Sequence, residues 1–312
     1  MTDASPVVLS SASAPPRLRP GDRVAVIAPS GPVSPDAVAA GLALLQARYR
    51  VVVDTSAETG IFARAGLFAG DDDRRAEELH RHLGDPDVRA VFCARGGYGA
   101  SRLLPWLDPA PLRADPKLLV GFSDITFLLA WALTAGVRGV HGPVVTQLGR
   151  LPGPDQRALF DLLERPTPPP PLAGESWLPG AAAGPLLGGN LELVSRLLGT
   201  PWALPLHGAL LFAEDVEERP YRIDRMLTHL EQAGGLGQVA GLALGDFLRC
   251  DPAAGAPPVT TREVLLERAR ELHLPLLGGL PVGHGERNVA LPFGGRAHLE
   301  AGALVFDEAA VA

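Results

Sequence analysis

The chain has 312 residues, 46% hydrophobic and 20% charged, which suffices for two domains with a sizeable core. A net charge of -7, without basic runs or interleaved aromatics, argues against nucleic acid and anionic membrane surfaces as partners. Cys93 and Cys250 make neither a disulfide framework nor a CxxC metal pair, so a reduced, cytoplasmic compartment is expected.

Residues 1–16 lack both a basic n-region and a continuous apolar stretch, and read as a disordered tail rather than a signal peptide. No window approaches the ~18 uninterrupted apolar residues of a membrane span. From 17 to 150 strand and helix signals alternate. Arg23 to Ala28 is a buried strand broken by Pro29 to Pro32, and Val38, Leu42, Leu45 and Tyr49 mark a helix face. Val51 to Val53 is a second strand; Gly66 to Gly70 is a loop. Asp71 caps a helix carrying Ala76, Leu79 and Leu83, and Val88 to Cys93 is a third strand. Arg95-Gly-Gly-Tyr-Gly99 precedes a short helix through Leu103 and Leu104, and Leu118 to Val120 is a fourth strand running into a helix marked by Phe127, Leu128 and Trp131. This pattern predicts an α/β fold: an N-terminal parallel-sheet domain, Rossmann or flavodoxin-like, covered on both faces.

Proline and glycine crowd residues 151–187, including Pro168 to Pro171, and read as a linker. A smaller, mixed and β-rich C-terminal domain is expected over 188–312. It holds helices at Asn190 to Leu198, Ile223 to Leu230 and Thr260 to Leu272. Its strands fall at Ala209 to Phe212, Val239 to Gly245, Leu276 to Leu280, Val289 to Leu291, Ala297 to Leu299 and Leu304 to Phe306.

Three stretches carry chemistry. The turn Gly121 to Asp124 joins a buried strand to a helix, the geometry that lifts a serine hydroxyl above the carboxyl edge of a sheet and aims free helix N–H groups at the same point. Ser123 is therefore a nucleophile candidate, with a plain helix N-cap as its competing reading. The strand Ala209 to Phe212 ends on Glu214 and Asp215, either of which could orient an imidazole. Gly283-His284-Gly285 sets a histidine in an open backbone, with His141 as the rival base. The order hydroxyl, carboxylate, imidazole follows the logic of a catalytic triad. Gly96-Gly-Tyr-Gly99 lacks the spacing of a dinucleotide fingerprint, and no tight ligand spacing supports a metal; no cofactor is expected.

These residues resemble the LD-carboxypeptidase family from about Arg19 to Leu299. The likeness rests on Pro20 to Ser30, Ala94 to Gly99, Gly121 to Thr126, His141-Gly-Pro143, Leu187 to Leu191, Phe212 to Val216 with Pro220-Tyr221 and Asp224-Arg225, and Gly283 to Gly285 with Asn288. The resemblance implies Ser123 as nucleophile, Glu214 as orienting carboxylate and His284 as base, with oxyanion donors at the N–H of Asp124 and Gly97. It implies a small muropeptide substrate from which a terminal D-amino acid is cleaved, in peptidoglycan recycling, by a cytoplasmic homodimer. Gly96, Asn190 and Arg225 are then candidate substrate contacts, and Trp177 a candidate lid. An immunity-type amidase acting on aminoacyl-nucleotides, or a non-catalytic peptide-binding protein, are the alternatives.

Overall fold

A computed structural model describes residues 12–252 and 258–312, which divide into two compact bodies. The first comprises residues 12–167, 289–293 and 309–312. Its elements in order are β1 (Arg23–Ile27), α1 (Pro35–Gln46), β2 (Arg50–Val52), α2 (Asp72–Gly84), β3 (Val88–Cys93), α3 (Ala100–Leu103), α4 (Ala110–Ala114), β4 (Leu118–Gly121), α5 (Thr126–Thr134), β5 (Gly139–His141), α6 (Val145–Leu148) and α7 (Gly153–Glu164). Strands β5-β4-β3-β1-β2 lie side by side and all pair in parallel. Strands β1, β3 and β4 are buried apolar runs, as the inner strands of a helix-covered parallel sheet are. Val26, Phe92, Val120 and Val140 meet Leu45, Leu148 and Leu163 in one core. Burying each such side chain contributes about 1.5–3 kcal/mol. Helix α5 is apolar all round and almost wholly buried, as a helix without a polar face must be.

The second body comprises residues 168–252, 258–288 and 294–308. Its elements are β6 (Leu172–Ala173), β7 (Glu175–Leu178), β8 (Ala182–Asn190), α8 (Leu191–Arg196), β9 (Leu210–Val216), α9 (Pro220–Gln232), β10 (Gly241–Leu248), α10 (Thr261–Glu271) and β11 (Leu276–Gly278). The chain then contributes β12 (Leu291–Phe293) to the first body, where Leu291 sits opposite His141 on the edge strand β5. Strands β13 (Arg296–Glu300) and β14 (Ala303–Phe306) complete the second sheet, ordered β6-β14-β13-β8-β9-β10-β11-β7. Its centre, β8 to β11, is parallel; both flanks are antiparallel.

Three expectations about organisation change. Of the tail 1–16, residues 1–11 lie outside the described residues. Residues 12–16 are ordered into the first body: Ser13 bridges Val137, and the Pro15 carbonyl accepts from the Ala312 N–H at 2.9 Å. The stretch 151–187 is no linker. It holds α7, β6, β7 and the start of β8: Pro154 falls in the first helical turn and Pro168 to Pro171 precede the edge strand β6, where a missing N–H does no harm, while Pro185 stands inside β8 opposite Arg296. The C-terminal span 188–312 is also not one unit, since 289–293 and 309–312 pack with the first body.

Helices α1 and α6 approach closely through glycine. A Cβ on Gly41 would lie 2.0 Å from the Val145 carbonyl oxygen. Gly41→Ala should therefore destabilise the protein by about 2 kcal/mol despite the better helix propensity of alanine. Thermal melting checks this; an unchanged or higher midpoint would show that the helices separate freely.

Candidate active site

Strand β4 delivers the chain to Phe122, whose extended backbone (φ -149) caps a single 3-10 turn, Ser123–Ile125, that leads into α5. Ser123 itself has φ 60. A non-glycine residue held in the left-handed region costs of order 1–3 kcal/mol, so the surrounding contacts must enforce it. An N-cap residue has β-region backbone, so the plain capping reading does not apply to Ser123.

The glycine-rich loop lies directly against this serine. A Cβ on Gly96 would sit 3.0 Å from the Ser123 Cβ and 3.1 Å from its Oγ, with the Asp124 backbone nitrogen at 3.3 Å. A side chain there would force the serine to give way by a few tenths of an ångström. The loop is pinned on two sides: the Gly96 carbonyl accepts from the Gly31 N–H at 3.1 Å, and the Ala100 N–H donates to the buried Asp124 carboxylate at 2.8 Å. Gly97 (φ 105) follows at once. The first body thus gathers Ser123, Asp124, Gly96 and Gly97 at the carboxyl edge of its sheet, where ligands of parallel sheets bind. His141 is buried on the neighbouring strand β5, its ring edge-on to Phe122 at 5.9 Å between centroids.

In the second body, Glu214 is fully buried on β9, and its Oε2 lies 2.6 Å from the Nδ1 of His284. The histidine loop is shaped around this carboxylate. Gly283 has φ 125, and a Cβ there would meet the Glu214 Oε2 at 2.8 Å. The Gly283 N–H donates to the Asn288 Oδ1 at 3.0 Å. Burial opposes a charged imidazole at His284, but the hydrogen bond and charge of Glu214 outweigh it and hold the pKa above the ordinary 6.5.

Asp215 has a separate task. Its Oδ1 accepts from the Asn190 amide at 2.9 Å and its Oδ2 from the Glu192 N–H at 3.0 Å, fixing the start of α8. Burial, and then the charge of Glu214, push its pKa up to about 7. Asn190 pairs in register with Glu214, and its Oδ1 caps α8 through the Leu193 N–H. Arg225 lies exposed on α9 over the Tyr221 ring, beside a surface cavity of about 510 Å³. Trp177 is not a free lid: it stands in β7 with its indole against Gly278 and under the Arg262 guanidinium.

Two residues escape the sequence reading. Asp246, at the carboxyl half of β10, takes a backbone hydrogen bond from Gly285, and burial and then the Glu214 charge raise its pKa. A carboxylate following the apolar run Leu242 to Leu244 is the signal by which it could have been found. Arg75 is completely buried and grips the loops on either side of Gly96. Nothing in the charged sequence of α2 marks it out.

A serine on a strained elbow and a carboxylate-held imidazole are the parts that serine hydrolases use. The model for the LD-carboxypeptidase N-terminal domain matches residues 24–142, and that for the LD-carboxypeptidase C-terminal domain matches 183–299. The murein tetrapeptide carboxypeptidase of Pseudomonas aeruginosa is 35% identical over 297 residues, covering 90% of this chain and 94% of that protein. The crystal structure of muramoyltetrapeptide carboxypeptidase from Oxalobacter formigenes superposes with a TM-score of 0.82 at 31% identity, over 92% of this chain and 99% of that one. A microcin C7 self-immunity protein shares the fold at TM-score 0.85 and 21% identity, over 96% and 100%. The chain belongs to the LD-carboxypeptidase family and is a serine-type carboxypeptidase. No helix among the described residues is long and apolar enough to cross a membrane.

The His284–Glu214 pair sets a titration test. Because the folded state holds this imidazole proton more tightly than the unfolded chain, the pair stabilises the fold fully below the unfolded value near 6.5, and the contribution is lost as pH rises through the folded one. In Glu214→Gln the burial stays while the charge goes, so the His284 pKa should drop below that of the parent protein. Histidine NMR titration reads this directly, and an unmoved His284 resonance would separate the two residues.

Proposed function

We propose that this enzyme hydrolyses the amide bond between an L-centre and a C-terminal D-amino acid, releasing D-alanine from a murein tetrapeptide in peptidoglycan recycling. The observation that carries the reading is the backbone of Ser123: a non-glycine residue held at φ 60 at the end of a parallel strand, its hydroxyl against a glycine-rich loop. Such strain persists at positions where it serves function.

In this reading His284 takes the Ser123 proton as the alkoxide attacks the scissile carbonyl, and Glu214 holds the imidazole in the productive tautomer through Nδ1. The oxyanion is received by the N–H groups of Asp124 and Gly97, with the Gly96 backbone as one wall. Loss of one such donor typically costs about 3–4 kcal/mol in the transition state. His284 then returns the proton to the departing D-alanine amine, and water resolves the acyl-enzyme. For the free carboxylate of the substrate, Arg225 keeps its charge exposed, while the Asn190 amide is occupied with Asp215.

The deciding experiment incubates the protein with L-Ala-D-Glu-meso-diaminopimelate-D-Ala and follows free D-alanine. Wild-type protein should release it, and Ser123→Ala should lose about 10⁴-fold or more of kcat. Full turnover by Ser123→Ala would end the acyl-enzyme reading. Cleavage of an aminoacyl-nucleotide amide with no tetrapeptide turnover would move the assignment to the immunity-type reaction.

The pH profile is a second test. The base must be neutral, so kcat/KM should fall on the acid side with an apparent pKa above 6.5, the raised value of His284. Glu214→Gln should shift that limb to lower pH while lowering the plateau; a limb that stayed in place would assign it to another group.

A further inference from the structure

Arg75 is an arginine with no exposed surface, on a helix otherwise rich in charged residues. Arginine is rarely buried unless its donors are all used. Here Nη1 donates to two carbonyls at once, Pro29 at 2.6 Å and Gly99 at 3.0 Å, and Nε reaches the Asp71 carbonyl at 3.3 Å. Nη2 pairs with the Asp72 carboxylate, and the guanidinium lies 4.8 Å from the centre of the Phe68 ring. Asp72 is itself held by Arg102 at 2.5 Å, so its charge is fixed from both sides.

What distinguishes this cluster from a general core arginine is where its carbonyls lead. Two residues beyond Pro29, the Gly31 N–H holds the Gly96 carbonyl; one residue beyond Gly99, the Ala100 N–H holds the Asp124 carboxylate. Both are the fastenings of the glycine loop to the Ser123 elbow. A planar fork with several fixed donors can clamp two loops at once, which a lysine ammonium on a flexible stem does less well.

We propose that Arg75 is a positioning residue for the oxyanion site: it sets the Pro29 and Gly99 loops so that the Gly97 and Asp124 N–H groups converge beside Ser123. This rests on the serine reading above. Donors aimed at charge that forms only in the transition state affect kcat rather than ground-state binding. A misplacement of about 1 Å there can cost about 100-fold.

The test uses full-length wild-type, Ser123→Ala, Arg75→Met and Arg75→Lys proteins, with two readouts. One is kcat and KM for D-alanine release from the tetrapeptide. The other is the rate of modification by diisopropyl fluorophosphate, in which the Ser123 Oγ forms a bond to phosphorus, the P–F bond breaks, fluoride departs and the hydroxyl proton passes to the base. Arg75→Met should lose about 100-fold in kcat with KM within about threefold, and modification should slow in proportion. Arg75→Lys, keeping charge and part of the donor set, should fall between. Folded Arg75→Met with full kcat and full labelling rate would overturn the assignment, as would a rise in KM alone. If Arg75→Met does not fold, wild-type rates in Arg75→Lys would overturn it equally. Wild-type protein that is never modified at Ser123 would instead remove the serine reading, and this assignment with it.

Discussion

A carboxylate with no access to water is the constraint around which the second body is arranged. Placing an unpaired charge in such a position costs several kcal/mol, and removing one partner of a buried pair leaves that cost exposed. Glu214 meets the constraint with one short hydrogen bond to His284, and its other oxygen has no hydrogen-bond partner among the described residues. The glycines at 283 and 285 follow from this: side chains there would run into Glu214 and Asp246. Asn288 locks the same loop from the far side. An imidazole fixed this way has little orientational freedom left to lose.

The first body meets a comparable constraint by different means. Its difficulty is conformational, a serine in the left-handed region, and the restoring contacts are backbone hydrogen bonds together with one buried carboxylate, Asp124. Two neighbouring acids in the second body show how environment divides labour. Glu214 faces an imidazole, whereas Asp215 faces two N–H groups and an amide and organises the start of α8. Adjacent positions on a strand point to opposite faces, so a one-residue difference decides the role.

Much of this was legible in the sequence for a physical reason. Strands buried on both faces leave unmistakable apolar runs, and β1, β3 and β4 fall where those runs stand. The elbow, the strand-end carboxylate and the glycine-flanked histidine were visible because each breaks a local pattern. Three-residue β5 leaves too short a signal. Proline misled over 151–187: Pro154 sits in the first turn of α7, a place that tolerates it. Arg75 was invisible because nothing in a charged helix tells which charge will turn inward.

The return of β12 to β5 has a consequence for biosynthesis. As the nascent polypeptide leaves the ribosome, the parallel strands of the first sheet emerge early, but the segment that seals the β5 edge emerges only after most of the second body. Until then a row of unpaired amides and carbonyls stays open beside the elbow strand, a template for wrong partners. Completion of the serine-bearing half is thereby tied, in time, to translation of the histidine-bearing one.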